Sequence, residues 1–512
     1  MERFRKRYED RVSGIISGFD RIIFRGVLRS ISYPQGMDIW LSSRGVLYKN
    51  FRAYVLKLSD QIKKQAEERA RLEGRPNIYL QSSRESKEKI AQRIALKDQI
   101  KEGLICILSC VEPCFSYTVS RDRASKKLRL GYGQRKCLHL YFYYMDREFG
   151  LMHVRVQTWF PFMIQVYVNG QEWLARAMNK ERIEYKKNDN CFTAIKNVER
   201  AQELSDRLGK RGWVRFLNGL AKRVNPLIKD NKLSLRSYYW TIWECEYATD
   251  VMFKSAKDLR AVYKGLSRFA IEEFGSEDVL SFFGRRMDGR YKGWVESTYK
   301  RGSEGTRVKH QMDGNSLKMY DKADSVLRVE TTINNPRRFM VSRVTERKDG
   351  KKHRWLRMRK GIADIGRRVE LSLGINKRYL EALSVLGEIK PSHQVLDSVS
   401  QRIEKKGRVY RGLRPITAEE SRMFAIFLRG EFKLQGIRNE DLRREFYGEQ
   451  KQSTEERNKA SARVSRYLRL LQAHRLIYKV QKTNYYRITK KGHEVMTTSL
   501  RFRESDIALL AA

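Results

Sequence analysis

Three runs of alternating side chains, at 138–144, 152–159 and 162–168, stand so close together that only tight turns fit between them. Parallel neighbours need a crossover of a dozen or more residues, so these runs must form an antiparallel meander. Residues 146–150 and the pair Asn169-Gly170 carry the turn chemistry. A strand-like run also opens the chain at 19–28, and two more alternate between Asn315 and Ile333. Helical stretches are expected at 51–72, 86–102 and 198–224, the last ending before Pro226, whose ring cannot continue a helix. The fold class read from these patterns is α+β: an antiparallel-sheet body with flanking helices. It divides into an N-terminal α+β body (1–270), a central antiparallel sheet (271–414) and a C-terminal module (415–512).

The surface such a fold presents is strongly basic. Lysine and arginine number 106 against 60 aspartates and glutamates, a formal net charge of +46. That surplus repels itself in a lone compact protein, so the expected partner is a polyanion, DNA or structured RNA. The cations run from Arg3 to Arg503 and do not form a tail, and a hydrophobic fraction of 41% excludes a disordered composition. The longest apolar stretches, near 103–111 and 160–168, are too short to cross a bilayer, so no membrane partner is expected. No secretory hydrophobic segment follows Met1, and six cysteines suit a reducing compartment, which together suggest the cytoplasm.

The last hundred residues carry a specific order of elements: helices at 419–432, 440–446 and 458–474, then strands at 476–480 and 485–488. Asn439 is placed to cap the second helix. In the third, Val464, Tyr467, Leu468 and Leu471 face inward, leaving Lys459, Ser461, Ser465, Arg466 and Arg469 on other faces. This order resembles the winged helix-turn-helix of MarR- and ArsR-like regulators. The resemblance implies that the third helix enters a major groove, where Arg466 forks onto a guanine edge, while Lys479, Lys482 and Arg487 on the wing hold phosphates.

In the centre, the run from Asn315 to Ile333 predicts a hairpin. If apolar residues pair with apolar, then Lys318, Tyr320, Arg328 and Glu330 converge on one polar surface, and His310 joins from an adjoining strand. A phenol, a carboxylate, a histidine and cations suit phosphoryl transfer, in which tyrosine attacks a phosphodiester and stays attached to the strand. Lys318-Met319-Tyr320-Asp321-Lys322 and Arg328-Val329-Glu330 resemble the strand–Tyr-Asp-Lys–strand–Arg-x-Glu arrangement of the replication initiation factor family of rolling-circle plasmids and phages. The resemblance implies metal-dependent nicking and joining of single-stranded DNA at an origin, with Mg or Mn held by Glu330. The family usually has a tyrosine-glycine strand just upstream, where this chain reads Arg307-Val308-Lys309-His310-Gln311. The alternative is a non-catalytic DNA- or RNA-binding protein of a bacterium or mobile element, in which Lys318, Arg328 and a basic ribbon at 343–360 clamp phosphates, with Lys322 a further nucleic-acid contact.

Further candidates are weaker. His139 and His153 flank the 146–150 turn and would share a metal only if strand parity put both rings on one face. Cys106, Cys110 and Cys114 recur every four residues, a spacing that suits core thiols better than zinc. A basic ribbon spans 343–360, with Arg347, Lys348, Lys351, Lys352, Arg354 and Arg357 around Trp355, suited to lying along a phosphate backbone and stacking a base. Asp20, inside an otherwise apolar run, either joins a carboxylate site or pairs with Arg21 or Arg25.

Overall fold

The computed structural model describes residues 1–512 apart from 236, 286–292, 303–304, 348–349, 385–391, 406, 430–435, 449–453, 482 and 505–512. Its strands are β1 (Val12–Val27), β2 (Asn77–Tyr79), β3 (Gly103–Arg121), β4 (Leu128–Asp146), β5 (Gly150–Gln157), β6 (Ile164–Asn169), β7 (Tyr185–Asn188), β8 (Cys191–Ile195) and β9 (Tyr239–Phe253). Then come β10 (Val295–Gly302), β11 (Gly305–Met312), β12 (Asn315–Lys322), β13 (Val326–Thr332), β14 (Met340–Arg347) and β15 (Gly350–Arg357). Eleven of them form one sheet in the order β10-β11-β12-β13-β9-β1-β6-β5-β4-β3-β2. The predicted meander is the β4–β5–β6 part, and the predicted hairpin is β12–β13. The central strands thus extend the N-terminal sheet, where the sequence reading had made them a separate domain.

Two long strands occupy the middle of this sheet. β1 runs against β9 from Val12↔Phe253 to Val27↔Tyr239, and against β6 on its other side. Helices close on both, and glycines make room for them. A Cβ on Gly18 would lie 2.3 Å from Ser205 Oγ, in the helix Val198–Gly209, and one on Gly170 would lie 2.1 Å from the Phe19 carbonyl oxygen. The expected single helix over 198–224 is therefore two, Val198–Gly209 and Trp213–Val224, separated at Gly209–Gly212 and ending before Pro226 as expected.

Packing on each sheet face follows the period of two. Ile22 and Phe24 of β1 share a core with Phe142, Val154, Val166 and the inner stripe of the helix Phe51–Leu72, namely Val55, Leu58 and Ile62. In the β9–β13 half, Asn376 from the helix Ile365–Leu383 hydrogen-bonds Tyr247, Thr249 and Thr331. The opposite face of β9, β12 and β13 is polar.

The chain separates into two compact units, residues 1–267 with 297–381, and residues 268–296 with 382–512. The second has its own core, including Phe424, Phe427, Val464, Leu468 and Leu471. It contains the helices Ala418–Leu428, Asn439–Tyr447 and Thr454–Ala473, the strands Ile477–Lys479 and Tyr486–Ile488, and the helix Lys490–Glu504. Asn439 does not cap its helix as expected. Its amide bonds Ser461 O and Ser465 Oγ and so ties the second helix to the third, while Asp441 accepts from the Arg438 N–H.

Among the described residues no helix is long and apolar enough to cross a membrane.

A carboxylate cluster on the central strands

The ladder β12–β13 pairs Lys318 with Glu330 and Tyr320 with Arg328, and β13–β9 pairs Arg328 with Asp250 and Thr332 with Glu246. Alternation then puts Lys318, Tyr320, Arg328, Glu330, Glu246 and Asp250 on one face, the convergence expected of the hairpin extended by β9. Asp20 arrives through a bulge. Phe19 faces Tyr247 and Arg21 faces Glu246, so Asp20 is the surplus residue of β1, and a bulge of this kind re-aims a side chain next to a site.

The contacts are dense. Arg328 has no solvent exposure, and its Nε and Nη2 each lie 2.7 Å from an Asp250 oxygen. Its Nη1 lies 3.1 Å from Asp20, and Nη2 also donates to the Asn190 carbonyl at 3.0 Å. Lys318 Nζ is 2.6 Å from Glu330 and 3.4 Å from Glu246. Arg21 reaches Glu244 and Glu246 at 2.6 and 2.7 Å. Tyr320 donates its hydroxyl to Glu330 Oε2 at 2.8 Å, and Asn190 donates to Asp20 at 2.5 Å.

One oxygen from each of Asp20, Glu246 and Glu330 lies within 4.8 Å of the other two, and all three residues are buried. Five carboxylates (Asp20, Glu244, Glu246, Asp250 and Glu330) face three cations (Arg21, Lys318 and Arg328), leaving two negative charges in a chain whose total is +46. Burial pushes Asp20 up to about 6, with Arg328 opposing the rise and Glu330 adding to it. Burial also works against the Glu330 charge, but Lys318, Tyr320 and Arg328 together hold that carboxyl below its usual range. The Tyr320 phenol is pushed upward by burial and by the Glu330 charge. An all-oxygen donor set with two uncompensated negative charges fits a hard divalent ion such as Mg or Mn.

Other expected site residues fall elsewhere. His310 pairs with Leu317, not Lys318, so it lies on the opposite face from Tyr320, fully buried between Ser297 and Tyr379 and lowered to about 4 by burial. It is not part of the cluster. Arg328 does not grip phosphate either, since its charge is consumed internally. Lys318 is engaged in the same way, and Lys322 lies 3.9 Å from Asp189. His139 faces Gln157 while His153 faces Tyr143, four residues along the ladder, so the two rings cannot hold one ion. His153 stacks on Tyr167 instead.

His139 lies near a different group. Cys114 Sγ is 3.2 Å from Cys137 Sγ, and His139 Nδ1 is 4.0 Å from the latter. Cys106 and Cys110 are buried core thiols, as expected. The antiparallel β14–β15 ribbon forms, with Arg354, Trp355 and Arg357 exposed. Lys348 and Lys482, and the side chains of Arg347, Lys351 and Lys352, lie outside the described residues.

In the second unit Lys459, Arg466, Arg469 and Lys479 are exposed, Lys459 paired with Glu455 at 2.7 Å. Ser461 and Ser465 are turned to Asn439. Arg487 was expected on an open hairpin surface but is buried, 3.1 Å from Glu277.

The sequence reading missed Glu246 and Asp250. Their signal was present: acids at 244, 246 and 250 share one parity in an otherwise apolar run, the pattern of a strand with a charged face. No protein-family model matches the chain, and neither a curated protein nor a solved structure is significantly similar to it.

Proposed function

We propose that the chain is a nucleic-acid-binding protein of replication-initiator type that cuts and rejoins a single DNA strand through Tyr320. The observation that carries this reading is the hydrogen bond from the Tyr320 hydroxyl to Glu330, one of three clustered carboxylates suited to a divalent ion. Asp20, Glu246 and Glu330 would hold that ion, which would offset the charge of the attacked phosphate. Glu330 is positioned to take the phenol proton as Tyr320 Oη bonds to phosphorus. The bond from phosphorus to the neighbouring nucleotide's oxygen then breaks, and that oxygen takes a proton from water. Rejoining reverses these steps. The raised phenol keeps Tyr320 protonated until substrate arrives, which suits an enzyme that must not react at random.

The basic ribbon supports a backbone-holding role. The second unit, three helices followed by a hairpin, supports a winged-helix reading in which Arg466 and Arg469 on the third helix meet the nucleic acid. A non-catalytic reading has one specific support, that Lys318 and Arg21 already neutralise much of the carboxylate charge.

The test is incubation of the full chain with a labelled random-sequence single-stranded DNA pool and Mg²⁺ or Mn²⁺, followed by denaturing electrophoresis. A protein–DNA adduct that disappears in Tyr320→Phe and Glu330→Gln is expected. No adduct with either metal, while binding persists, leaves the non-catalytic reading.

A further inference from the structure

We infer that Trp243, Arg25 and Lys360 seat one nucleotide of a single strand beside the carboxylate cluster, the base against the indole and its phosphate between the two cations. This rests on the nucleic-acid reading above and adds to it a defined nucleotide subsite.

A second bulge carries the argument. The β1–β9 ladder pairs Ile23 with Glu244 but Phe24 with Ile242, which makes Trp243 surplus in β9 just as Asp20 is surplus in β1. Both irregularities interrupt the central pair of strands within a few residues, with Arg21, Glu244 and Glu246 between them. A buried β9 position would have hidden the indole in the core. The bulge instead leaves Trp243 43% exposed, a large apolar ring at a place where its neighbours Ile242 and Cys245 are buried.

Its surroundings are cationic. The Arg25 guanidinium lies 4.2 Å from the ring centroid and Lys360 Nζ 5.5 Å. Lys360 is brought there because its carbonyl accepts the Ile242 N–H at 2.8 Å, next to the bulge. Neither cation joins an ion pair among the described residues. Arg25 reaches only the Met163 sulfur, at 2.9 Å, and its buried Nε has no hydrogen-bond partner. The charges acting on Lys360 are those of Arg368, Arg25 and Arg337, all repulsive, and burial and repulsion together lower its pKa. A half-buried arginine and an exposed lysine, neither in an ion pair among the described residues, form a receptor for an anion, and an aromatic ring beside them selects an anion that carries a flat π-face. A nucleotide meets both requirements.

The position gives the subsite a role. Glu244 is the next residue in the chain, and Arg21 joins it to Glu246 of the cluster. A base held on Trp243 therefore fixes the register of the strand whose phosphate reaches Asp20, Glu246 and Glu330.

Fluorescence anisotropy of the full chain with labelled oligothymidylate, and with an abasic strand of equal length, tests the inference. Trp243→Ala is expected to weaken oligothymidylate binding about 5- to 150-fold, the range for losing one stacked base, and to leave abasic-strand binding unchanged. Trp243→Phe should retain most of the affinity. Arg25→Gln and Lys360→Gln should weaken both strands and each lower the salt slope by about 0.7, the single-strand value per phosphate contact. Equal oligothymidylate affinity for the wild-type chain and Trp243→Ala overturns the subsite while leaving the nucleic-acid reading intact. Loss of abasic-strand binding in Trp243→Ala equal to the oligothymidylate loss overturns base stacking and assigns Trp243 a structural role. No binding of either strand by the wild-type chain overturns the nucleic-acid reading itself.

Discussion

Arg328 and Tyr320 face each other across a ladder rung and bear opposite relations to stability. Arg328 neutralises Asp250 and Asp20 where all three are buried, so removing it strands two carboxylates. Arg328→Met should therefore destabilise the first unit by about 3–5 kcal/mol, the usual cost of breaking a buried pair from one side. The measurement is the urea midpoint, and adding Asp250→Leu should recover part of the loss, because the second substitution removes the uncompensated charge. Tyr320 gives only one hydrogen bond to a carboxylate that Lys318 also holds. Tyr320→Phe should shift stability by no more than about 1–3 kcal/mol, the range for a bond to a charged group, while abolishing adduct formation. A variant that loses the adduct because it unfolds would show both effects together, and the urea midpoint separates the cases.

Hairpins and bulges differ in what reaches them from local chemistry. β12–β13 was legible because its two strands are adjacent, alternate with a period of two, and leave a single register that buries Leu317, Met319, Leu327 and Val329. The third helix of the C-terminal unit was legible for the same reason, from the apolar stripe of Val464, Leu468 and Leu471. The bulges at Asp20 and Trp243 were not, since each is defined only by a partner strand more than two hundred residues away, and no local pattern announces a surplus residue in such a ladder. The same distance hid the roles of Glu246 and Asp250. His310 was misplaced by parity alone: β11 pairs it with Leu317, and one residue of slip would have put it beside Lys318. Its burial has a measurable consequence shared with His139 and His153, since burial lowers all three to about 4. An unfolded histidine takes up its proton near 6.5, whereas these remain neutral in the fold. Between about 6.5 and 4 the unfolded chain thus binds more protons, so stability is complete above that window and falls as pH drops through it. Urea midpoints of the first unit should decline from pH 7 to pH 4.5, and His310→Phe should make that decline shallower; an unchanged slope would count against a neutral His310.

On the proposed nucleic-acid reading the surplus of +46 sets how the whole chain meets DNA, and two of its arginines and one lysine are spent inside the carboxylate cluster. The remainder predicts that the logarithm of affinity for DNA falls linearly with the logarithm of salt, with a slope set by the phosphates neutralised. Anisotropy titrations at several salt concentrations measure it, and a flat dependence would remove the electrostatic basis of the functional reading. Deleting the second unit's residues after 415 should reduce sequence preference more than raw affinity if those helices read a groove. The position of β1 adds a constraint of a different kind, on order in time. It is synthesised before both of its partners, yet it lies in the sheet between β6 and β9. At about 5–20 residues per second, Glu330 is synthesised roughly 15–60 s after Asp20. Until β6 is made the nascent strand exposes two unpaired edges, and until β9 is made it exposes one, so a translational stall before β9 should yield a chain that aggregates or recruits chaperones. The four-strand carboxylate cluster accordingly cannot exist before β13 has been synthesised, and no translation product ending before β13 contains it.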